Sequence, residues 1–134
     1  MKTSKKGIDL IKSFESLHDG DLTLIGLQPK MDPISIWTEG YGRAMRTSDG
    51  NFIKGAGNKK LAYTSQTIKN EKEAEIALIN DLNSFERIVT QKIKISLNQN
   101  QFDALVSYTY NTGGSDTLFK MINKGESEDN IKNW

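Results

Sequence analysis

The strongest constraint on the fold is how helical and strand-favouring residues are grouped along the chain. A helical pattern comes first, a block of strand-favouring residues follows, and helical patterns fill the remainder. Because strands and helices do not alternate, the order argues against parallel βαβ units. We therefore predict an α+β fold: a first helix, a small antiparallel β lobe, then a mainly helical lobe, with a cleft between the lobes. A length of 134 residues fits one domain.

The first half of the chain divides at turn-forming residues. Thr3 or Ser4 can cap a first helix, and residues 18–21 predict a turn after it. Residues 22–42 are rich in strand-favouring residues punctuated by Gly and Pro, which predicts a β-meander or hairpin. Residues 43–64 hold three glycines and several lysines and predict a loop, which at this length is either functional or partly ordered. The apolar residues of the first helix are Ile8, Leu10, Ile11, Phe14 and Leu17.

The second half reads as a series of capped helices. Asn70 with Glu73 has capping-box spacing and predicts a long helix ending near residue 91. Asn98 with Gln101 has the same spacing and predicts a buried helix, which ends at residues 111–114. The apolar stripe of the long helix is Leu78, Leu82, Phe85 and Val89.

Two shorter helices are predicted towards the end. Ser115 or Asp116 can cap a short helix, which Gly125 stops. A last helix is predicted to begin near Ser127. No internal repeat and no low-complexity segment interrupts this order.

Composition narrows the possible chemistry. The chain has no Cys and a single His, so disulfides, thiolate catalysis and multi-His or Cys-based metal sites are excluded. The net charge of +1 favours neither nucleic acid nor an anionic membrane surface. No stretch approaches the roughly 18 apolar residues of a membrane span, and no signal segment is visible. Catalysis must therefore use carboxylates, hydroxyls, amides, Lys or Arg.

Glu15 is the first candidate for chemistry. It follows Ile11 by four residues and Ile8 by seven, so these side chains share one face of the helix. A carboxylate on an apolar face is desolvated, which raises its pKa towards the range of a general acid. The alternative is a helix-surface Glu, or one paired with His18 three residues later.

Asp32 is a candidate second carboxylate. It stands just before a predicted strand, with Pro33 after it and Thr38 six residues further on. Glycoside hydrolysis needs two carboxyl groups, one to protonate the leaving oxygen and one to assist water or stabilise positive charge. The alternative is an ordinary Asp-Pro turn leading into a strand.

These residues together resemble the phage-type lysozymes, glycoside hydrolase family 24. The resemblance covers most of residues 7–124 and depends on several modest motifs that occur in the family's order. The motifs are Leu10–Glu15, the spacing from Asp32 to Thr38, the run Trp37–Gly42, and Asn100–Gly113, which is similar to the family's core helix and cleft-facing turn.

The resemblance implies a role for each matched residue. Glu15 would be the general acid, Asp32 the second carboxylate, and Thr38 would help to place the attacking water in an inverting reaction. The implied substrate is peptidoglycan, cut at the β-1,4 bond between N-acetylmuramic acid and N-acetylglucosamine, with neither cofactor nor metal. Substrate-binding positions would be Tyr41, Gly42, Tyr110 and Asn111.

The sequence departs from the family pattern in several places. The 17-residue gap from Glu15 to Asp32 is about twice the usual one, which leaves Asp19 and Asp21 as rival second carboxylates. Glu39 replaces a usually apolar residue and could add a third carboxylate near the site. Arg43 replaces a usual His. The arginine-rich C-terminal arm of the family has no counterpart in this sequence.

The resulting hypothesis is a muramidase that lyses bacteria, built as one lysozyme-like domain. We expect the β lobe and loop at about 16–64, and the helical lobe at 1–15 and 65–134. Two alternatives are a peptidoglycan-binding module that is weakly active or inactive, and a lytic transglycosylase that depends on Glu15 alone. The expected partner is a glycan strand bound by a monomer, without nucleic acid or membrane insertion. Such a protein would wait in the host cytoplasm until released to the wall, or act outside the cell.

Overall fold

The computed structural model describes residues 1–125 and confirms an α+β fold. The last predicted helix, near Ser127, lies outside the described residues. The strands are β1 (Lys30–Met31), β2 (Trp37–Glu39) and β3 (Arg43–Ala44). The helices are α1 (Lys5–Glu15), α2 (Lys59–Ser65), α3 (Glu71–Lys92), α4 (Gln99–Thr112) and α5 (Asp116–Asn123), with one 3₁₀ turn at Ala56–Asn58.

The three strands form an antiparallel meander in the order β1-β2-β3, as the sequence predicts. Thr38 is at the centre of the sheet, because it pairs with Lys30 on one side and with Ala44 on the other. All three residues of β2 are buried. This register fixes the position of the Thr38 side chain relative to β1 and to the turn that follows β1.

The prediction of strand structure at residues 22–25 is wrong, because this segment forms turns and bends. The Asp21 carboxylate accepts hydrogen bonds from the backbone N–H of Thr23 at 3.0 Å and from its hydroxyl at 2.5 Å. Such side-chain bonds give the backbone an alternative to a strand ladder. In a strand, apolar side chains would pack on a face of the sheet. Here Leu22 and Ile25 are instead 87% and 101% exposed.

The segment at residues 43–64, predicted as a loop that is either functional or partly ordered, is partly ordered. It contains β3, the 3₁₀ turn and α2, and isolated bridges join Arg46 to Phe52 and Ile36 to Lys54. The reason is burial, since the segment closes an apolar core under the sheet. That core consists of Trp37, Met45, Ile53 and Ala62, with Met31 and Tyr63 packed against it.

The chain divides into two compact units, and each has its own buried residues. The sheet unit covers residues 12–80 and contains the core just described. Among the described residues, the helical unit combines residues 1–11 with residues 81–125. In the helical unit α3, α4 and α5 contribute buried apolar side chains, among them Leu82, Val89, Phe102, Val106, Leu118 and Phe119.

Two buried carboxylates hold the N-terminus within the helical unit. Glu86 accepts hydrogen bonds from the backbone N–H and the hydroxyl of Thr3 at 2.6 and 2.7 Å. Asp103 accepts one from the backbone N–H of Ser4 at 3.0 Å, and another from its hydroxyl. The Ser4 hydroxyl in turn accepts from the backbone N–H of Gly7 at 3.2 Å. Ser4 is therefore the cap of α1, one of the two predicted residues.

The later helices follow their predicted caps. Asn98 and Gln101 form a reciprocal capping box at the start of α4, and Gly113 ends α4 in the left-handed conformation with φ of 83°. The Ser115 side chain caps α5. The predicted stripe of α3 is buried at Leu78, Leu82 and Val89, while Phe85 is half-buried. Among residues 1–125, no helix combines the length and the apolar character that crossing a bilayer requires.

Asn98→Ala should destabilise the protein by about 1 kcal/mol, because it removes the acceptor for an otherwise unsatisfied N–H. Asn100→Ala is the matched control, since Asn100 is exposed in the first turn of the same helix. Alanine is a good helix former, so the control should be neutral or slightly stabilising. Urea unfolding of both variants checks this, and equal losses would contradict the assigned cap.

Candidate active site

Glu15 is the last residue of α1. The helix stops there because Ser16 has a positive φ of 60°, in the left-handed region. The Glu15 side chain is half-buried, and burial raises its pKa above the ordinary value of 4.5. The carboxyl group predicted to be a general acid therefore keeps its proton to higher pH than an exposed Glu.

Gly42 packs directly against the Glu15 carboxyl group. Its φ is 88°, which L-residues with a side chain rarely adopt. A Cβ atom at this position would lie 2.5 Å from Oε2 of Glu15, well inside van der Waals contact. Glycine is thus required twice, for the backbone conformation and for the space that the acid occupies.

Asp32 lies in the turn between β1 and β2. Its Oδ1 accepts hydrogen bonds from the backbone N–H groups of Ile34 at 3.0 Å and Ile36 at 2.8 Å. The Asp32 backbone N–H donates to the Ile36 carbonyl at 2.8 Å. The residue therefore does form the ordinary turn that the sequence allows, and this turn also fixes the direction of its carboxylate.

Glu15 and Asp32 line the same open cavity, which has a volume of about 470 Å³. The cavity therefore brings together the two carboxyl groups that the sequence proposes as a pair. The remaining lining residues all come from the end of α1 and from β1 and its turn: Ser16, Leu17, His18, Lys30, Met31 and Pro33.

The rival carboxylates bond to backbone elsewhere in the sheet unit. Asp19 accepts from the backbone N–H of Asp21 at 3.1 Å and of Gln28 at 3.3 Å. The pKa of the exposed Asp21 carboxyl is lowered, chiefly by the hydrogen bond from the Thr23 hydroxyl. Both residues thus shape the turn of the long segment before β1, and neither is among the residues that line the cavity of Glu15.

Glu39, the possible third carboxylate, is buried and has a structural role. It accepts hydrogen bonds from the backbone N–H groups of Thr67 at 3.0 Å and Ile68 at 2.9 Å. The Thr67 hydroxyl donates a further bond at 3.2 Å. Glu39 thus satisfies the backbone just before α3, and like Asp19 and Asp21 it is absent from the residues that line the cavity.

Thr38 is 5% exposed and is not itself among the residues that line the cavity. Its hydroxyl has two partners within the protein. Oγ1 lies 2.6 Å from Nδ1 of His18 and 2.9 Å from the backbone carbonyl of Lys30. Sequence reasoning considered His18 only as a partner of Glu15 and missed its contact with Thr38. Only the antiparallel pairing of the strands, which sequence spacing does not give, reveals this contact.

The environment of His18 favours its neutral form. Burial is the largest influence and lowers the pKa of the ring from 6.5, and the positive charge of Lys30 lowers it further. A hydrogen bond to the backbone of Glu15 and the negative charge of Asp32 oppose this effect. A neutral ring can both donate and accept a hydrogen bond, which matters for its contact with Thr38.

The other predicted contact residue of the sheet unit, Tyr41, is buried beside Gly42. Its hydroxyl donates to Glu71 at 3.3 Å, and the Lys12 ammonium lies 5.3 Å from the ring centroid. Burial is the main reason why the pKa of Tyr41 is raised. These contacts hold the turn between β2 and β3 against α1 and α3, and a contact with substrate stays a prediction.

Tyr110 and Asn111 lie near the C-terminal end of α4, in the helical unit. Tyr110 is half-buried, and its ring packs edge-to-face on Phe85 with centroids 5.3 Å apart. Asn111 is exposed. Their roles in substrate binding also stay predictions.

Arg43, which replaces the usual His, donates a hydrogen bond to the Ala77 carbonyl at 3.4 Å.

A sequence model of the family described as phage lysozyme matches residues 24–134, most of the chain. This chain belongs to the phage lysozyme family. The match confirms the resemblance seen in the sequence, and the lysozyme-like fold agrees with it. A solved endolysin from Escherichia coli O157:H7 phage FAHEc1 is 34% identical, with a TM-score of 0.65. The similarity covers 93% of this chain and 69% of that one.

Other relatives support the same family. The muramidase domain of SpmX from Asticaccaulis excentricus is 27% identical, with a TM-score of 0.63, over 92% of this chain and 71% of that one. An endolysin of Bacillus phage PZA is 34% identical over 95% of this chain. The chain spans 43% of that endolysin's length, and 41% of the length of a Bacillus phage B103 endolysin. The curated relatives named here are thus more than twice as long as this chain.

Gly42→Ala should destabilise the fold and displace the acid, because the new methyl group meets the Glu15 carboxyl. Gly50→Ala is the matched control, since Gly50 has a φ of 86° and no atom within 4 Å of the added Cβ. The backbone strain common to both should cost about 1–2 kcal/mol. Urea unfolding should show a larger loss for Gly42→Ala, and equal losses would contradict the close packing of Gly42 on Glu15.

Glu15→Gln should stabilise the folded protein at neutral pH, because it removes a charge that burial disfavours. The folded pKa of Glu15 is raised, so the native state binds more protons than the unfolded state between the two values. The stability of the wild type therefore falls as pH rises through that window, which begins near 4.5. The advantage of Glu15→Gln should grow over the same window and vanish below it. Denaturant unfolding from pH 3 to 8 measures this, and an advantage independent of pH would refute the assigned cause.

Proposed function

We propose that this protein is a muramidase that hydrolyses the β-1,4 bond between N-acetylmuramic acid and N-acetylglucosamine in peptidoglycan and so lyses bacteria. One observation carries the proposal: Glu15 and Asp32 line one open cavity, and burial raises the pKa of the Glu15 carboxyl group. Glycosidases use such a pair in unequal protonation states, one as acid and one as carboxylate. The similarity to endolysins and to a muramidase domain supports the choice of substrate.

In this mechanism Glu15 is the general acid. Its proton passes to the glycosidic oxygen as the bond to the sugar breaks, which avoids an unstable alkoxide leaving group. A raised pKa keeps the carboxyl protonated for longer as the pH rises towards neutrality. The close approach of Gly42 leaves room for the carboxyl group on that side, where a larger residue would displace it.

Asp32 serves as the second carboxylate. Both of its backbone hydrogen bonds are made to Oδ1, so we assign Oδ2 to the reaction. There it accepts a proton from the attacking water and stabilises the positive charge that develops on the sugar. Thr38 helps to place this water, and the reaction inverts the configuration at the anomeric carbon.

Four further residues are proposed to contact the glycan strand: Tyr41, Gly42, Tyr110 and Asn111. Gly42 suits this role because its backbone lies directly beside the Glu15 carboxyl group. Hydrolysis consumes only water and a glycan strand, so the proposal includes neither cofactor nor metal. We further propose that the protein acts as a monomer and reaches the wall from the host cytoplasm or from outside the cell.

Purified peptidoglycan tests the proposal directly. Wild type should clear a suspension and release fragments with reducing ends, while Glu15→Gln and Asp32→Asn should each lose at least about 10²-fold in rate. Turbidity loss and mass analysis of the released sugars give both readouts. Thr64→Val is the control, because Thr64 is exposed on α2 and bonds only to helix carbonyls.

The possible outcomes separate the mechanisms. Reducing ends released by wild type but not by Glu15→Gln would support a muramidase that depends on Glu15. Anhydro ends would point instead to a transglycosylase, and activity of Asp32→Asn close to wild type would remove Asp32 from the mechanism. A wild type that binds peptidoglycan without clearing it would overturn the proposal in favour of a binding module.

A further inference from the structure

The Thr38 hydroxyl has one hydrogen, and two groups that can accept it lie within hydrogen-bond distance. A threonine hydroxyl carries one hydrogen, and its oxygen can accept two bonds. The Lys30 carbonyl, 2.9 Å away, can only accept, while Nδ1 of His18, 2.6 Å away, can donate or accept according to its tautomer. The single hydroxyl hydrogen must therefore go to one of these two groups.

Two arrangements are possible. In the first, which satisfies all three atoms, Thr38 donates to the Lys30 carbonyl and a protonated Nδ1 of His18 donates to Oγ1. In the second, Nδ1 carries no hydrogen and accepts the bond from Thr38, so the Lys30 carbonyl receives no bond from this hydroxyl. Both arrangements commit the hydroxyl hydrogen to the protein, so Oγ1 can offer only a lone pair to any water that contacts it.

We infer that His18 is a positioning residue for the reaction, which holds the Thr38 hydroxyl so that Oγ1 accepts a hydrogen bond from the attacking water. This inference rests on the proposed function. A water that gives one hydrogen to Thr38 and the other to Asp32 directs a lone pair away from both, towards the anomeric carbon. A Thr38 hydroxyl free to rotate could instead donate to that lone pair and block the attack.

The backbone holds His18 in place for this role. Its backbone N–H donates to the Gly40 carbonyl at 2.8 Å, which forms a bridge to the residue two positions after Thr38. The ring also lies near enough to the backbone of Glu15 for that backbone to favour its charged form. The position of the imidazole is thus tied at once to the strand that bears Thr38 and to the helix end that bears the acid.

Three charged or titratable groups face His18 from the elements around it. Lys30 comes from β1, Asp32 from the turn after β1, and Glu15 from the end of α1, and all of them line the cavity with His18. Lys30 disfavours a charged ring and Asp32 favours it, while burial disfavours it most. At neutral pH the ring is therefore neutral and adds no positive charge beside the two carboxyl groups.

The decisive experiment compares His18→Leu with His18→Asn on purified peptidoglycan. Leucine cannot bond to Thr38, whereas the asparagine amide places a polar atom close to the position of Nδ1. We expect His18→Leu to lower kcat by about 10- to 100-fold with little change in KM, and His18→Asn to keep most of the wild-type kcat. Equal kcat losses in both variants, or no loss in either, would overturn the inference.

A double-mutant cycle separates positioning from a merely structural role. In a background of Thr38→Val, His18 has no hydroxyl left to hold, so His18→Leu should cost little further kcat. A structural role would lower activity by the same factor in both backgrounds, and this result would overturn the inference. Thermal unfolding of each variant identifies any loss of kcat that comes from unfolded protein.

A third measurement needs no activity, because His18 is the only histidine in the chain. Its ring signals can be followed by ¹⁵N NMR against pH in wild type and in Thr38→Val. Nδ1 loses its hydrogen-bond partner in Thr38→Val whichever group is the donor, so the ¹⁵N shift of Nδ1 in the neutral ring should change. An unchanged Nδ1 shift would refute the contact itself.

The failure of this inference can be told apart from failure of the proposed function. If wild type releases no sugar fragments, the proposed function fails, and the positioning role fails with it whatever NMR shows. If wild type is active and His18→Leu keeps its kcat, only the positioning role fails. Fragment release by wild type, a loss in His18→Leu and recovery in His18→Asn would support both.

Discussion

The antiparallel register of β1 and β2 is the constraint on which the candidate site depends. Pairing Lys30 with Thr38 places the carbonyl of one beside the hydroxyl of the other, and it sets the turn that contains Asp32. A slip of β1 by one residue would turn its side chains to the opposite face relative to β2 and remove these contacts. The bridge from His18 to Gly40 then ties the end of α1, with Glu15, to the same sheet.

The acidic residues of the sheet unit carry the same chemical group but have different roles, because their environments differ. Glu39 accepts hydrogen bonds from backbone N–H groups just before α3. Asp19 and Asp21 likewise accept bonds from backbone N–H groups and so stabilise a turn. Asp32 does this with one oxygen while also lining the cavity. Glu15 differs because burial rather than hydrogen bonding dominates its environment. This contrast separates the proposed acid from the carboxylates that maintain the fold.

Much of the fold could be predicted because caps and apolar periodicity are local signals. The Asn98 box and the stripe of α3 are examples, since each depends on residues within a few turns of one helix. Helix α2 could not be predicted, because only Ala62 of its seven residues is buried, and one residue shows no period. The strand prediction at Leu22 and Ile25 failed for the opposite reason, because the hydrogen bonds of the Asp21 side chain override their preference for strands. The contact of His18 with Thr38 joins residues twenty positions apart, and no local pattern encodes it.

The close fit of Gly42 on Glu15 has a consequence for how this protein can change over evolution. A side chain at position 42 would meet the end of the Glu15 side chain at 2.5 Å, so even the smallest one pushes the carboxyl group aside. A substitution at this single position during evolution would therefore act at once on the backbone of the turn and on the place of the acid.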